Sequence, residues 1–229
     1  MMFAIAKHEL WQSFKNIKAI LIIIALLSAS YFFANKGKTF VEMFELSSGE
    51  ENTIYSTGLL LMMMFFGLLF VMALSHDIIN RETSNRTMRF LLSRTSHEKI
   101  FIGKFLGVWL FWVICFAISV LVIAITSQTI SFTIIATLIC LVTFEISVAF
   151  LLSVLIKKPM MSMFIGIFIG IAGPILASIV EYTEAWYKLF KYVSPLHYLQ
   201  NNNYEMLALP LGALIIAAIS LFIFKRGEY

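Results

Sequence analysis

The chain has 229 residues, of which 60% are hydrophobic and only 13% charged, and its formal net charge is +4. A soluble domain carries about a quarter of its residues as charged side chains, so most of this surface is expected to face lipid rather than water. The two cysteines, Cys115 and Cys140, lie inside apolar runs, which excludes a disulfide framework and a cysteine metal site.

Residues 1–18, the first element, are too short and too polar to cross a membrane. Trp11 lies among apolar residues that recur at helical spacing, while Glu9 and other polar residues occupy the opposite side. The apolar set is Phe3, Ala6, Leu10, Phe14 and Ile17. This pattern predicts an amphipathic helix lying in the membrane interface.

Six apolar segments follow, each close to the roughly 20 residues that a membrane-spanning helix needs. They are residues 19–34, 54–75, 105–126, 133–156, 161–180 and 206–224. Between the second and third lies a charged loop, residues 76–104 (loop 2–3), and before the sixth an aromatic, amide-rich outer segment, residues 181–205. The predicted fold is therefore an all-α membrane protein with six transmembrane helices and an N-terminal interfacial (elbow) helix.

The distribution of lysine and arginine predicts the orientation in the membrane. With a cytoplasmic N-terminus, 13 of the 17 basic residues fall in cytoplasmic segments, and Lys36, Lys38, Lys188 and Lys191 lie outside. Loops rich in positive charge stay on the cytoplasmic side. Both termini are expected in the cytoplasm, and the partner of the positive charge is expected to be the membrane surface, not nucleic acid.

No catalytic or metal-binding motif accompanies these helices. A phosphate-binding loop is missing, since Gly103-Lys104 has Glu98 where the upstream glycine would stand, and the four histidines lack metal-ligand spacing. We therefore expect no catalytic residue, no metal and no cofactor in this chain, and no enzyme activity.

Loop 2–3 carries the most informative pattern, which predicts a short helix, a turn around residues 93–96 and a second amphipathic helix that enters span three. Glu82, Thr87, Leu91-Leu92-Ser93, Ser96 and Gly103-Lys104 occur in this order. The run resembles the signature loop of ABC-2-type permeases, the membrane subunits of type V fold ABC exporters. Thr95 and His97 depart from it, since proline and arginine are common there. The phrase Ser194-Pro195-Leu196-His197-Tyr198-Leu199 before the last span also resembles this family.

The resemblance implies that loop 2–3 forms a coupling helix held by a separate ATPase, with Lys157-Lys158 as a smaller second contact. The implied coupling residues are Asp77, Glu82, Thr87, Arg89, Leu91, Leu92, Ser93, Arg94, Ser96 and Lys104. ATP and Mg²⁺ would bind two copies of that ATPase subunit. A second permease, the same chain or a related one, would complete the pathway within the lipids of the bacterial cell membrane.

Small residues give the fifth span a smooth face, Gly166-x-x-x-Gly170, followed by Gly173-Pro174. Small residues let helix backbones approach closely, and proline removes one helical hydrogen bond. One interpretation is a kinked helix packed inside the subunit, and the other is contact with the partner permease near the exit path. Met63 and Phe66 of span two belong to an apolar surface rich in flexible methionines. This surface could serve helix packing, lipid contact or the binding of an amphipathic ligand.

Glu145 lies in the middle of span four, where a carboxyl group is costly unless it is protonated or paired. We expect either a structural carboxyl group hydrogen-bonded to Thr143 or Ser147, or a role in gating or substrate contact.

Short permeases of this kind resemble exporters of amphipathic or antimicrobial peptides, including bacitracin-resistance and phenol-soluble-modulin systems, whereas others handle lipids, drugs or ions. Two alternatives to a transporter remain at this point. One is a membrane scaffold or sensor that binds a cytosolic partner through loop 2–3, and the other is an intramembrane enzyme relying on Glu145.

Overall fold

The computed structural model describes residues 1–43, 51–128, 130–182 and 208–227, and these residues form helices joined by turns. In chain order the helices are α1 Met2–Lys15, α2 Ile17–Met43, α3 Glu51–Ser75, α4 Asn80–Ser84, α5 Met88–Leu92, α6 His97–Ser127, α7 Phe132–Leu155, α8 Pro159–Tyr182 and α9 Ala208–Arg226. Among the described residues, six helices are long and apolar enough to cross a membrane: α2, α3, α6, α7, α8 and α9. The all-α fold with six spanning helices is thus confirmed. Most of the outer segment, with the Ser194–Leu199 phrase, lies outside the described residues.

The short helix α1 ends where Asn16 takes up an extended conformation, with φ of −76° and ψ of 127°. The Asn16 side chain then accepts a hydrogen bond from the Lys18 backbone N–H at 3.0 Å, and so starts α2. The chain can therefore change direction sharply between the elbow helix and the first span. As predicted, a separate amphipathic helix precedes the membrane bundle.

Helix α7 is the centre of the bundle and the most deeply buried span, whereas α8 is the least buried. Helix α7 packs against α3, α6, α8 and α9, and α2 packs against α3 and α6. Aromatic rings fill the space between α6 and α7. The ring centroids of the buried Phe101 and the partly buried Phe105 each lie 5.2 Å from that of Phe150.

Helix α6 begins at His97, eight residues before the apolar run that marks span three in the sequence. The turn expected at residues 93–96 is present, and Ser96 in the extended region precedes the helix. Loop 2–3 therefore consists of two short helices and a turn, and its last part is the first two turns of a long continuous helix. Any displacement of the loop acts directly on this span.

Candidate functional site: an ion-pair cluster at the basic end

One end of the bundle gathers α1, loop 2–3, the turn between α7 and α8, and the end of α9. We call it the basic end, because Lys and Arg residues of all four segments lie there. Lys225 of α9 pairs with Glu98 at the start of α6, which places the C-terminal end of α9 beside loop 2–3. Helices α1 and α9, the first and last of the chain, thus both reach the same end of the bundle.

Lys104 of α6 is the centre of a buried ion-pair cluster, with only 1% of its surface exposed. Its ammonium group donates a hydrogen bond to the Glu9 carboxylate of α1, and the Glu82 carboxylate of α4 lies 3.5 Å away. The hydroxyl group of Thr87, just before α5, donates a hydrogen bond to the same Glu82 carboxylate. One lysine therefore joins the elbow helix, span three and both short helices of loop 2–3.

Two glycines of α6 on either side of Lys104 make room for α1. A Cβ atom at Gly103 would lie 2.9 Å from the Met2 carbonyl oxygen, and one at Gly107 would lie 2.7 Å from that of Ala6. Real Cβ atoms do not come this close to a backbone oxygen, so α1 can cross α6 here only because both residues are glycine. Close backbone contact and the buried ion pair hold the same crossing.

Hydrogen bonds fix the start of loop 2–3 to the α7–α8 turn. The Ser153 hydroxyl accepts the Ile79 backbone N–H at 3.0 Å, and the Asn80 side-chain NH₂ donates to the Ile156 carbonyl at 2.8 Å. The Ser162 hydroxyl of α8 donates to the His76 carbonyl at 2.7 Å. These bonds are between chain segments more than 70 residues apart, so the start of loop 2–3 is attached to the bundle and the two move together.

Helix α5 presents one large apolar side chain to the outside: Phe90 is 75% exposed. Arg86, Arg89 and Arg94 are exposed beside it. Arg86 has a φ of 57°, the left-handed conformation that turns the chain from α4 into α5. The exposed part of loop 2–3 is thus a phenylalanine among arginines, a composition common in the centre of protein interfaces.

The ten residues predicted to couple to an ATPase divide into two groups. Thr87, Arg89, Ser93, Arg94 and Ser96 are exposed. The other five are partly or fully covered. Asp77 lies 3.7 Å from Arg81, Leu91 and Leu92 pack on the apolar core, and Glu82 and Lys104 form the ion-pair cluster. The structure therefore places Lys104 where it cannot touch another protein directly, and its role is internal.

Comparison with known families identifies this architecture. A family model described as "ABC-2 family transporter protein" matches residues 2–226, which includes every helix described above. The chain belongs to the ABC-2 transporter family. It is accordingly a multi-pass membrane permease of an ABC transporter, a membrane transport component that works with an ABC ATPase. No curated protein matches the chain.

The glycine face of span five lies inside this permease, against α3. A Cβ atom at Gly166 would lie 2.9 Å from the Met72 sulfur, and one at Gly170 would lie 2.9 Å from the Leu69 Cα atom. The interpretation as packing within the subunit therefore describes these two glycines in this structure, because α3 covers both. The surroundings of Gly173 are open, since a Cβ atom added there would meet nothing within 4 Å.

The other membrane residues predicted at an interface or pathway differ in how exposed they are. Met63 is completely buried, whereas Phe66 on the same helix is exposed and Pro174 is half-buried inside α8. Phe66 and Pro174 are consequently accessible to lipid, a ligand or another chain, and Met63 is a core residue.

Glu145 of α7 is buried beside Gly67 of α3. Its side chain is 3% exposed, and its Oε2 atom has no hydrogen-bond partner among the described residues. The expected bonds to Thr143 and Ser147 are not formed, because Thr143 donates to the Ile139 carbonyl and Ser147 donates to the Thr143 carbonyl. Helical hydroxyl groups that bond to their own preceding turn do not reach a neighbouring side chain.

The residues that sequence reasoning missed are Glu9, Gly107, Asn80 and Phe90. Glu9 lies on the polar side of α1, for which the sequence predicts contact with water, yet this side faces Lys104. The spacing Gly103-x-x-x-Gly107 is a readable signal for a close helix crossing. Asn80 and Phe90 give no such signal, since their roles depend on which segments the fold brings together.

Proposed function

We propose that this permease is the membrane subunit of an ABC exporter of the type V fold, which moves an amphipathic or hydrophobic substrate out of the cytoplasm or membrane. A toxin-like or antimicrobial peptide is the substrate class we favour. The 13 basic residues on one side of the spans favour a cytoplasmic basic end in a bacterial cell membrane. ATP and Mg²⁺ bind the partner ATPase, and this chain holds no cofactor and catalyses no reaction.

The ATPase docks on the exposed part of α5. The observation that supports this most is Phe90, a large apolar side chain exposed among Arg86, Arg89 and Arg94. A soluble subunit that covers a phenylalanine gains about 2 kcal/mol or more from the burial, and a negatively charged rim would match the arginines. The exposed Lys157 and Lys158 lie at the same end of the bundle and form the second, smaller contact.

Force from the docked ATPase passes to the membrane helices through the ion-pair cluster. Helix α5 follows Thr87, which bonds to Glu82, and Glu82 faces Lys104 on span three. ATP binding draws two ATPase subunits together, each moves one loop 2–3, and two permease chains change their packing. The second permease is either another copy or a related chain.

Co-purification tests the docking surface directly. A tagged permease extracted from its own membranes is expected to retain an ABC ATPase, and Phe90→Asp is expected to reduce the retained ATPase at least tenfold, since it places a carboxylate in the buried contact. Phe132→Asp is the matched control, because Phe132 is similarly exposed, at 79%, but lies at the opposite end of the bundle. Full retention by Phe90→Asp, with normal membrane insertion, would show that the ATPase docks elsewhere. A permease that retains no ATPase in any form would favour the scaffold or sensor alternative.

A further inference from the structure

The outer face of α1 is a row of aromatic and cationic side chains. Phe3, Lys7, Trp11 and Lys15 follow one another at intervals of four residues, and all four are exposed. Residues four apart lie on one side of a helix. The aromatic rings of this row therefore alternate with ammonium groups along a single line, which we call the α1 row.

No negative charge of α1 lies on this face. The only acidic residue of α1 is Glu9, and it is buried against Lys104 on the opposite side of the helix. The ion-pair cluster thus removes the one carboxylate that would weaken the positive potential of the exposed face. This arrangement leaves the two lysines of the α1 row with no compensating side chain on the same helix.

The crossing with α6 fixes the depth of the α1 row. Helix α1 lies against Gly103 and Gly107, and the apolar run of span three begins at residue 105. Helix α3 ends at Ser75 beside the same crossing, where Glu9 and Gln12 share a small, polar cavity with His76 and Asp77. Helix α1 consequently lies at the level where the spans leave the hydrocarbon layer, the level of the lipid headgroups.

We propose that the α1 row is a binding surface for anionic phospholipid headgroups, with phosphatidylglycerol as the type of ligand. The amphipathic indole ring of Trp11 settles at headgroup depth, and lysines beside it are attracted to a negatively charged leaflet. A lysine near such a surface strengthens association about fivefold, so Lys7 and Lys15 together distinguish an anionic from a zwitterionic headgroup. Phe3 and Trp11 pack at the boundary between the headgroups and the acyl chains and hold the ammonium groups in place.

Headgroup binding also bears on loop 2–3. Helix α1 is held against α6 by two glycine contacts and joined to Glu82 through Lys104, so a tilt of α1 moves the base of the loop. The consequence for transport rests on the proposed function, whereas the lipid binding itself does not. The two ideas can therefore fail separately.

Photocrosslinking in nanodiscs tests the proposal with the full chain and without any ATPase. The probes are phosphatidylglycerol and phosphatidylcholine with a photoreactive group at the headgroup, each as a trace in phosphatidylcholine discs, and crosslinks are mapped to residues 2–15 by mass spectrometry. We expect at least about a fivefold excess of phosphatidylglycerol over phosphatidylcholine on α1. The excess should disappear in the double variant Lys7→Gln/Lys15→Gln.

Lys99→Gln is the matched control, because Lys99 is also an exposed lysine of the basic end but lies on α6 instead of α1. It should retain the full excess. Equal labelling by both probes in the unaltered chain would overturn the proposal. An excess that survives the double variant, or that Lys99→Gln removes to the same extent, would overturn it as well.

Discussion

Lys104 shows how one charged side chain can be kept inside a membrane protein. Two carboxylates from different helices surround its ammonium group, so the cost of removing it from water is offset by ion pairing and hydrogen bonds. A buried ion pair is sensitive to the loss of one partner, which costs about 3–5 kcal/mol, whereas replacing both partners with apolar groups is often nearly neutral.

This difference gives a prediction for Lys104. Lys104→Met should lower the free energy of unfolding by about 3–5 kcal/mol, because Glu9 is left buried without a cation. The double variant Glu9→Leu/Lys104→Met should recover much of the loss, since Glu82 is partly exposed and can turn towards water. Unfolding midpoints in detergent measure both, with Lys99→Met as the control for loss of an exposed lysine. A double variant less stable than Lys104→Met would contradict the account of a paired cluster.

Glu145 and Gly67 are in close steric contact between α7 and α3. A Cβ atom at residue 67 would lie 2.5 Å and 2.7 Å from the two carboxylate oxygens. Gly67→Ala should therefore destabilise the permease by about 1–3 kcal/mol through overpacking. In a Glu145→Ala background the same substitution should cost little, because the obstructing oxygens are gone and the remaining close atom, Met63 Cε at 2.9 Å, is the end of a flexible side chain.

Gly173→Ala is the matched control for that experiment, because nothing lies within 4 Å of its Cβ position. There the better helix propensity of alanine should leave stability unchanged or raise it by up to about 1 kcal/mol. A double-mutant cycle measures this coupling. It compares the thermal unfolding of the unaltered chain, the single variants Gly67→Ala and Glu145→Ala, and the double variant. Equal costs of Gly67→Ala with and without Glu145 would show that the carboxyl group does not limit the space at this crossing.

At the scale of elements, the crossing of α1 over α6 is the feature that decides the shape of the basic end. Gly107→Ala should push α1 away, because its new methyl group would meet the Ala6 carbonyl oxygen at 2.7 Å. Hydrogen exchange of the α1 amides should then become at least tenfold faster, while exchange in α7 stays unchanged. Gly212→Ala on α9 is the control, since its Cβ position makes only ordinary contacts of 3.7–3.8 Å. Unchanged exchange in α1 would mean that the glycine contact does not hold the elbow helix.

The elements themselves were largely predictable from the sequence, because hydrophobic runs of about 20 residues are a strong signal. The separate elbow helix and the turn before α6 were also readable from the amphipathic pattern and from residues 93–96. Hydropathy alone misses the start of α6 at His97, since a charged first turn at a membrane surface lowers the hydropathy without ending the helix. The pattern of loop 2–3, however, predicts a second amphipathic helix that enters span three.

The contacts between elements were much less predictable. Gly166 and Gly170 fitted both packing inside the subunit and contact with a second permease, and only the fold shows that α3 covers them. Glu9 fitted the polar side of a surface helix, and its burial depends on Lys104, which lies 95 residues further along the chain. Hydropathy records how polar a side chain is, but not which charge meets it after folding.

At the scale of the whole molecule, the basic end and the membrane bundle have different roles. The bundle supplies six spans within the described part of the chain, and the sequence contains no nucleotide-binding motif. The basic end joins the elbow helix, loop 2–3, the α7–α8 turn and the end of α9 through ion pairs and hydrogen bonds. Phe90 and the exposed arginines beside it, Arg86, Arg89 and Arg94, form the exposed part of the basic end. A partner that binds them can therefore act on several spans at once.

This permease is expected to transport its substrate with energy that a separate ATPase supplies. Native mass spectrometry of the complex extracted from its own membranes, followed by ATP hydrolysis measurements on the same sample, tests it most directly. We expect an assembly of two permease chains with two ABC ATPase subunits, whose hydrolysis is lost when the ATPase is removed. A transport-competent sample of this chain with no nucleotide-hydrolysing subunit would contradict the claim.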